Sequence, residues 1–387
     1  MRNQAILLIV TVMFVMLISG TAFAEDNITK NDIKINCTTI YSGSTHQELM
    51  ADAAKEYPNM NYTTHLTTKL PTTLNFSNQN LIMLDLYSDS YVPVVQSAID
   101  DAKKRNATVI ILSPQSDLAK NLSSINMTQH PYILEYFNNG GYENEKRLIK
   151  YVMINFFGLN ETVEAPVVYP TTGIYHPDSS VPFASVSEYL QWYQSDGTHY
   201  KYDPSKPTVA ILFHRDTYVK ETTPWVNSLI YKMEAQGINC VAEFGMSGDS
   251  LSVLMNTTSL TANLPMDLII SAKSFRLRSY SSEPIENGVV YLQALNIPII
   301  HAVVGMYQIS PEMWANSTDG IPSNLIGTRV AMPELDGVYE SIVVAGQVKK
   351  PDSDVYITVP IEEQMNWLVS RVSSWINLRR KSNEEKK

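Results

Sequence analysis

The strongest constraint on the fold is a series of short apolar runs of strand length, each followed by a segment with helical spacing. Asn80-Leu-Ile-Met-Leu-Asp-Leu86 is nearly continuous in apolar residues, the pattern of a strand buried on both faces. Val92 to Arg105 follows with Val95, Ala98, Ile99 and Ala102 at helical spacing, and Ala107 to Leu112 is again strand-like. Ile33 to Ile40 precedes them as a strand. Gly43-Ser-Thr45 then makes a turn that caps a helix from about His46 to Glu56. Such a βαβαβ rhythm implies parallel strands with helices on their faces, because a parallel pair needs a crossover long enough to hold a helix.

The rhythm returns further on. Thr208 to Phe213 reads as a strand, Pro224 to Gln236 as a helix ended by Gly237, and Ile238 to Phe244 as the next strand. Gly245-Met-Ser-Gly248 leads into a helix from Ser250 to Met255. Strand Met266 to Ala272, helix Pro284 to Leu295, strand Pro298 to Val304 and strand Ser341 to Ala345 complete the series. Between the two series, Pro131 to Leu159 reads as mostly helical. Glu161 to Pro204 is rich in Pro, Tyr, Ser and Asp, with one short helix from Ser185 to Gln194. Ile361 to Arg380 is an amphipathic helix with Met365, Leu368, Val372 and Ile376 on its apolar side.

The expected fold class is therefore α/β: two Rossmann-like or flavodoxin-like parallel-sheet units, a Pro/Tyr-rich connector and a C-terminal helix. The expected boundaries are 1–24 for a leader, 25–160 for the first unit and 161–206 for the connector. The second unit spans 207–350, and the final helix and charged tail 351–387.

Arg2, the apolar run Ala5 to Ile18 and Ala22-Phe23-Ala24 form a secretory signal pattern with cleavage before Glu25. Read as an uncleaved anchor, the apolar run from Ala5 to Ala24, interrupted only by Thr, Ser and Gly, nearly spans a bilayer. Asn-x-Ser/Thr sequons begin at Asn27, Asn36, Asn61, Asn75, Asn106, Asn121, Asn126, Asn160, Asn256 and Asn316, which points to an exported, extracellular or cell-surface glycoprotein. Cys37 and Cys240 sit in apolar runs of different units and read as two buried small hydrophobes; a single interdomain bridge is the alternative. The formal net charge of −10 argues against nucleic acid as the main partner, because phosphate neutralisation needs a basic face.

No G-x-x-x-x-G-K-[ST] is present, so no ATP site of P-loop type is expected in this chain; C-x-x-C, H-E-x-x-H and G-x-S-x-G are absent as well. In open α/β sheets, ligands bind beyond the C-terminal ends of the strands. That rule selects His214, Arg215 and Asp216 after the first strand of the second unit. It adds Lys273, Arg276 and Arg278 after the third, and Gly305, Met306, Tyr307 and Gln308 after the fourth. The ligand-binding candidates are His214, Arg215, Lys273, Arg276 and Tyr307. Their cations suit propionate-type carboxylates, and the aromatic and Met side chains suit a flat macrocycle. The structural alternative is ordinary polar loops on solvated rims. His301, inside an apolar run, reads as a core histidine bonded to backbone. Glu334 and Asp336 face one side if extended and then pair as acids; otherwise Pro333 and Gly337 make a tight turn there. His176-Pro177-Asp178 reads as a rigid turn.

Several blocks occur in a fixed order: Gln129-His-Pro-Tyr-Ile133, Gly140-Gly-Tyr-Glu-Asn144, Gly173-Ile-Tyr-His-Pro-Asp178 and Tyr189-Leu-Gln-Trp-Tyr193. They continue with Thr208-Val-Ala-Ile-Leu-Phe213, Glu312-Met-Trp314, Val330-Ala-Met-Pro-Glu-Leu-Asp-Gly337 and Val344-Ala-Gly-Gln347. In series they resemble the large subunit of cobaltochelatase (CobN type) and the H subunit of magnesium chelatase, from about Met127 onward. The resemblance implies a large subunit that holds a tetrapyrrole or corrinoid and inserts cobalt or magnesium, as in cobalamin biosynthesis, while an AAA+ partner hydrolyses ATP. The chain is expected to match the front portion of such a subunit, as a truncated frame, a split gene product or a stand-alone derivative. It is then not active alone, and no catalytic residue carries over. The alternative is an exported protein that binds a tetrapyrrole, a corrinoid or a cobalt-type ion without catalysis.

Overall fold

A computed structural model describes residues 28–382, apart from 87, 114–115, 196–198, 246–263, 275–289, 291, 294, 307–308, 352–355 and the side chains of 44–45. The expected leader, the helix Ser250 to Met255, most of the helix Pro284 to Leu295, and Arg276, Arg278, Tyr307 and Gln308 lie outside the described residues. The chain divides into two compact units that are discontinuous in sequence. Among the described residues, the first gathers 28–43, 53–134 and 146–165; the second gathers 44–52, 135–145 and those from 166 onward.

The sheet of the first unit holds β1 (Ile35–Tyr41), β2 (Met60–Leu66), β3 (Leu81–Leu84) and β4 (Thr108–Ile111), in the order β2-β1-β3-β4. All its pairings are parallel. The central strand β3 is buried at every position, as its apolar run requires. A helix over Val92–Lys104 covers the sheet with Val95, Ile99 and Ala102, which sit in one core with Ile82, Leu84, Val109 and Ile111. Strand β2 was not apparent from sequence: Met60-Asn-Tyr-Thr-Thr-His-Leu66 is half-exposed, and its backbone pairs on one side only.

In the second unit six strands lie in the order β10-β9-β8-β6-β7-β5. They are β5 (Gly173–Tyr175), β6 (Thr208–His214), β7 (Asn239–Gly245), β8 (Leu268–Ser271), β9 (Ile299–Val303) and β10 (Tyr339–Val343). Strands β6 to β10 run parallel, whereas β5, drawn from the connector, pairs antiparallel with β7. Chain order reverses at β6, because β7 lies on one side of it and β8 on the other. That is the switch-point topology at which a crevice opens beyond the strand ends.

Helices over Pro224–Glu234 and Glu362–Arg380 pack one sheet face: Trp225, Leu229, Met233, Leu368, Val372 and Ile376 share a core with Val209, Ile211 and Ile270. The other face is covered by the helix Val186–Tyr193, whose Tyr189 and Tyr193 pack on Ala210, Leu212 and Val241. An antiparallel hairpin of β11 (Ala345–Lys349) and β12 (Tyr356–Pro360) extends from β10 and was not foreseen. Gly346 is obligatory there, since an added Cβ would lie 2.6 Å from the Ile309 carbonyl oxygen. Cys37 and Cys240 are both free and buried, as expected of small core hydrophobes. Among the described residues no helix is long and apolar enough to cross a membrane.

Candidate functional site

At the switch point of the second unit, His214 ends β6 and lies beside Gly245 at the end of β7. Its Nε2 accepts the Ser274 N–H at 3.0 Å, so the ring proton resides on Nδ1. Burial, reinforced by the nearby Lys273 charge, lowers its pKa to about 3, and the imidazole is neutral. His301 is in the same state: it is 1% exposed, its Nδ1 lies 3.1 Å from Ser341 Oγ, and burial lowers its pKa to about 4. This is the core histidine that its apolar surroundings imply.

Lys273 departs from the expected solvated rim. Only 2% of it is exposed, and its Nζ donates to the Gly245 carbonyl at 2.5 Å. The ammonium thus ties the ends of β7 and β8 together across β6. Arg215 donates through Nε to the Pro170 carbonyl at 2.9 Å and through Nη2 to that of Tyr169 at 3.2 Å, and so holds the connector. Arg329, not singled out by sequence, donates to the Val304 carbonyl at 3.0 Å beside Gly305. The structure therefore brings His214 and Lys273 together at the strand ends, with Lys273 buried, and sets Arg215 to a backbone task, while Arg276 and Tyr307 lie outside the described residues.

Sequence reasoning also missed a dyad of a half-buried histidine and a buried glutamate. His46 Nδ1 lies 2.5 Å from Glu145 Oε1, and the His46 ring stacks on Phe137 at 4.4 Å. Glu145 follows the Gly140-Gly-Tyr-Glu-Asn144 block, whose Asn144 exchanges hydrogen bonds with the Val167 backbone. Gly141 has φ +82°, and a Cβ there would approach the Val219 carbonyl oxygen to 2.9 Å. That block is built for close approach.

The other blocks singled out earlier are mostly structural. His176 is 1% exposed, and its Nε2 lies 2.9 Å from Glu234 Oε1, which also accepts from Tyr193 Oη at 2.5 Å. Tyr193 Oη accepts the Cys240 N–H, and Tyr189 Oη donates to the Cys240 carbonyl. The histidine and both tyrosines thus fix the connector to the start of β7. Asp178 accepts from Tyr231 and His199, completing the rigid turn. In the first unit, Asp85 beyond β3 accepts from Ser42 and Ser113, which closes that edge with its own side chains.

Open space lies at the opposite edge of the second sheet. A cavity of about 790 Å³ is bounded by the residues before β9, the Glu334-Leu-Asp-Gly337 segment and the last turns of the C-terminal helix. Its apolar walls are Leu292, Ile297, Leu335, Tyr339, Trp375 and Leu378. Leu335 and Tyr339 are 63% and 62% exposed, which is unusual for large apolar groups set side by side. Arg379, which donates to the Asn296 carbonyl at 2.5 Å, brings a cation to the rim, and Glu334 an acid.

The wall at Tyr339 is braced. The β10–β9 register shifts between Tyr339 and Ile342, and Glu340 has φ +54°. Arg371 grips the Glu340 carboxylate with Nε at 2.8 Å and Nη2 at 2.5 Å, and Trp375 Nε1 adds a bond at 3.1 Å. Glu334 and Asp336 do not form an extended pair. Met332–Leu335 is a helical turn, and Asp336 is 4% exposed at its end, so the tight-turn reading of the block holds. Among the described residues, no group of three or more His, Cys, Asp or Glu side chains is placed to hold a metal ion.

A family profile for CobN/magnesium chelatase matches residues 134–387. The chloroplastic magnesium-chelatase subunit ChlH of Oryza sativa subsp. indica is 27% identical over 265 residues, which is 66% of this chain and 19% of that protein. The aerobic cobaltochelatase subunit CobN of Pseudomonas aeruginosa is 21% identical over 381 residues, covering 89% of this chain and 28% of that protein. The catalytic subunit of cobaltochelatase from Mycobacterium tuberculosis superposes with a TM-score of 0.58 at 16% identity, over 90% of this chain and 28% of that one. It shares the mixed α/β fold with parallel sheets. The chain thus spans 19% to 28% of the length of these relatives.

Proposed function

Because the chain belongs to the CobN/magnesium chelatase family and covers part of its large subunit, we propose that it is a tetrapyrrole- or corrinoid-binding portion of a metal chelatase. The observation that carries this reading is the cavity at the Glu334-Leu-Asp-Gly337 segment. Its size lies in the range of cofactor sites, roughly 300–1,000 Å³. Trp375 and Tyr339 bring aromatic rings to its walls, which suit a macrocycle, and Arg379 brings a cation to its rim, which suits a carboxylate. The switch-point edge fits less well, since Lys273 is buried there and bonded to the Gly245 carbonyl.

Insertion of cobalt or magnesium, as substrate, belongs in this reading to a larger assembly. A separate chelatase body supplies the remaining surface, and an AAA+ subunit supplies the ATP chemistry that this sequence lacks a P-loop to perform. A second reading keeps the same cavity but treats the chain as an exported binding protein without catalysis. The signal pattern and the ten sequons favour it.

Titration of the purified protein with free-base porphyrins and with corrinoids tests the common premise. Binding is expected to shift the Soret or corrin absorption band. Leu335→Asp and Leu378→Asp, at exposed positions, are expected to weaken it at least tenfold with the fold intact. No spectral change or heat at high micromolar ligand, or unchanged affinity in both variants, would refute the assignment. Adding a chelatase body and its ATPase then separates the two readings, because only a subunit portion restores metal insertion.

A further inference from the structure

We propose that Asn75 and Asn126 are N-glycosylation sites, and that Asn36, although it begins a sequon, is not modified. The proposal rests on the reading that the chain is exported. Ten sequons lie along the sequence; those at Asn27 and Asn256 lie outside the described residues, and five of the others differ in what their side chains already do.

Asn126-Met-Thr128 forms an Asx turn. The Thr128 N–H and Thr128 Oγ1 both donate to Asn126 Oδ1, at 3.1 Å and 2.7 Å. Asn75-Phe-Ser77 does the same through its backbone, with the Ser77 N–H donating to Asn75 Oδ1 at 2.8 Å. Both asparagines are exposed. Two consequences follow. The donors fix the carboxamide by its oxygen and leave Nδ2 for chemistry. They also stabilise the imidate formed when Nδ2 gives up a proton to a base of the transferase, in which the charge rests on that oxygen and the nitrogen carries a lone pair.

Asn36 is the opposite case. It lies in β1, half-buried, with Nδ2 donating to the Asn78 carbonyl at 2.7 Å. Its sequon hydroxyl, on Thr38, is 2% exposed and lies 2.6 Å from Thr63 Oγ1. A glycan on Asn36 would take Nδ2 from the Asn78 carbonyl at a half-buried position in the sheet. Asn61 and Asn316 are intermediate: both are exposed, but their Nδ2 groups donate to Asn36 Oδ1 at 3.2 Å and to the Glu312 carbonyl at 3.0 Å.

The transfer requires a polyprenyl-phosphate- or polyprenyl-pyrophosphate-linked oligosaccharide and a membrane transferase. Nδ2 attacks the anomeric carbon, the N–C bond forms, and the C–O bond to phosphate breaks. The polyprenyl phosphate or pyrophosphate leaves with the bonding pair, and the amide proton passes to a base of the transferase. No net oxidation or reduction occurs.

The test uses the full chain with its leader, expressed in an archaeal or eukaryotic host that glycosylates exported proteins. Material from outside the cytoplasm is mapped by peptide mass spectrometry. An N-terminus at Glu25 reports export independently of any glycan. Glycopeptides are expected at Asn75 and Asn126, and the Asn36 peptide is expected at its unmodified mass. Asn126→Gln and Thr128→Ala should each remove one glycan increment, Thr128→Ser should restore it, and Asn75→Gln should remove another. An exported, leader-cleaved chain with Asn75 and Asn126 bare, or with Asn36 occupied as fully as Asn126, overturns the proposal. Intact leader in the cytoplasm would instead refute the export reading on which it rests.

Discussion

Replacing Lys273 with Ala is expected to destabilise the second unit by about 2–4 kcal/mol. The side chain is 2% exposed, so truncation deletes three buried methylenes, worth about 0.8 kcal/mol each. It also leaves the Gly245 carbonyl without the ammonium 2.5 Å away, which costs about 1–3 kcal/mol. Relief from burying a charge offsets part of this. Lys273→Met separates the contributions: it keeps the apolar stem and removes the charge, so its cost should stay within about 1 kcal/mol of the wild type. The assay is built into the sequence. All five tryptophans, at positions 192, 225, 314, 367 and 375, fall in the second unit, so their fluorescence in urea reports its unfolding alone. With a slope of about 2–3 kcal/mol per molar, the Ala variant should lower the midpoint by roughly 1 M at unchanged slope. A midpoint shift below a quarter of that would refute the burial argument. A Met variant as damaged as the Ala variant would show that charge, not packing, dominates.

Three further outcomes are expected. Gly346→Ala should cost at least about 2 kcal/mol by the same fluorescence assay, because its Cβ would meet backbone atoms of Ile309 and Pro311 at 2.6 Å and 2.9 Å; a neutral result would show that the β11 hairpin yields freely. Tyr193→Phe should cost about 1–3 kcal/mol, since Glu234 Oε1 and the Cys240 N–H each lose a partner and Glu234 Oε2 already has none, and a midpoint equal to wild type would count against that network. His214 and His301 stay neutral in the fold but titrate near 6.5 when unfolded; their stabilising effect is complete above that pH and is lost as pH falls toward about 3 for His214 and about 4 for His301, at up to about 1.4 kcal/mol per pH unit each. The urea midpoint should therefore fall between pH 6.5 and 4.5, and His301→Gln should make that fall shallower by one proton's share; an unchanged slope would show that His301 does not titrate as described.

The buried strands were legible because their function in the fold leaves a pattern in sequence. Asn80 to Leu86 and Thr208 to Phe213 are apolar on both faces, and the helices beside them repeat at helical spacing. Strand β2 was not legible, since a half-exposed, Thr-rich segment looks like a loop until its backbone pairs with β1. The hairpin of β11 and β12 depends on Gly346 fitting against Ile309, a contact without local signature. Candidate residues were chosen by position along strands, and that placed His214 and Lys273 correctly at strand ends. It could not tell a rim cation from one whose ammonium is spent on Gly245. The cavity escaped notice for a related reason: its walls come from residues 292–299, 334–339 and 375–379, and only the fold makes them neighbours.

The two edges of the six-stranded sheet end differently, and both endings block growth. On one side β5 runs against its neighbour, and its outer edge is taken by Phe183, which exchanges two backbone bonds with Ile174. On the other, β10 shifts register and turns left-handed at Glu340, so its backbone offers no straight ladder to a visiting strand. A polypeptide that added a strand to this sheet would meet a taken edge on one side and a bent one on the other. Recognition along these two edges therefore falls to side-chain relief, and its specificity can be rewritten by surface substitutions without touching the backbone.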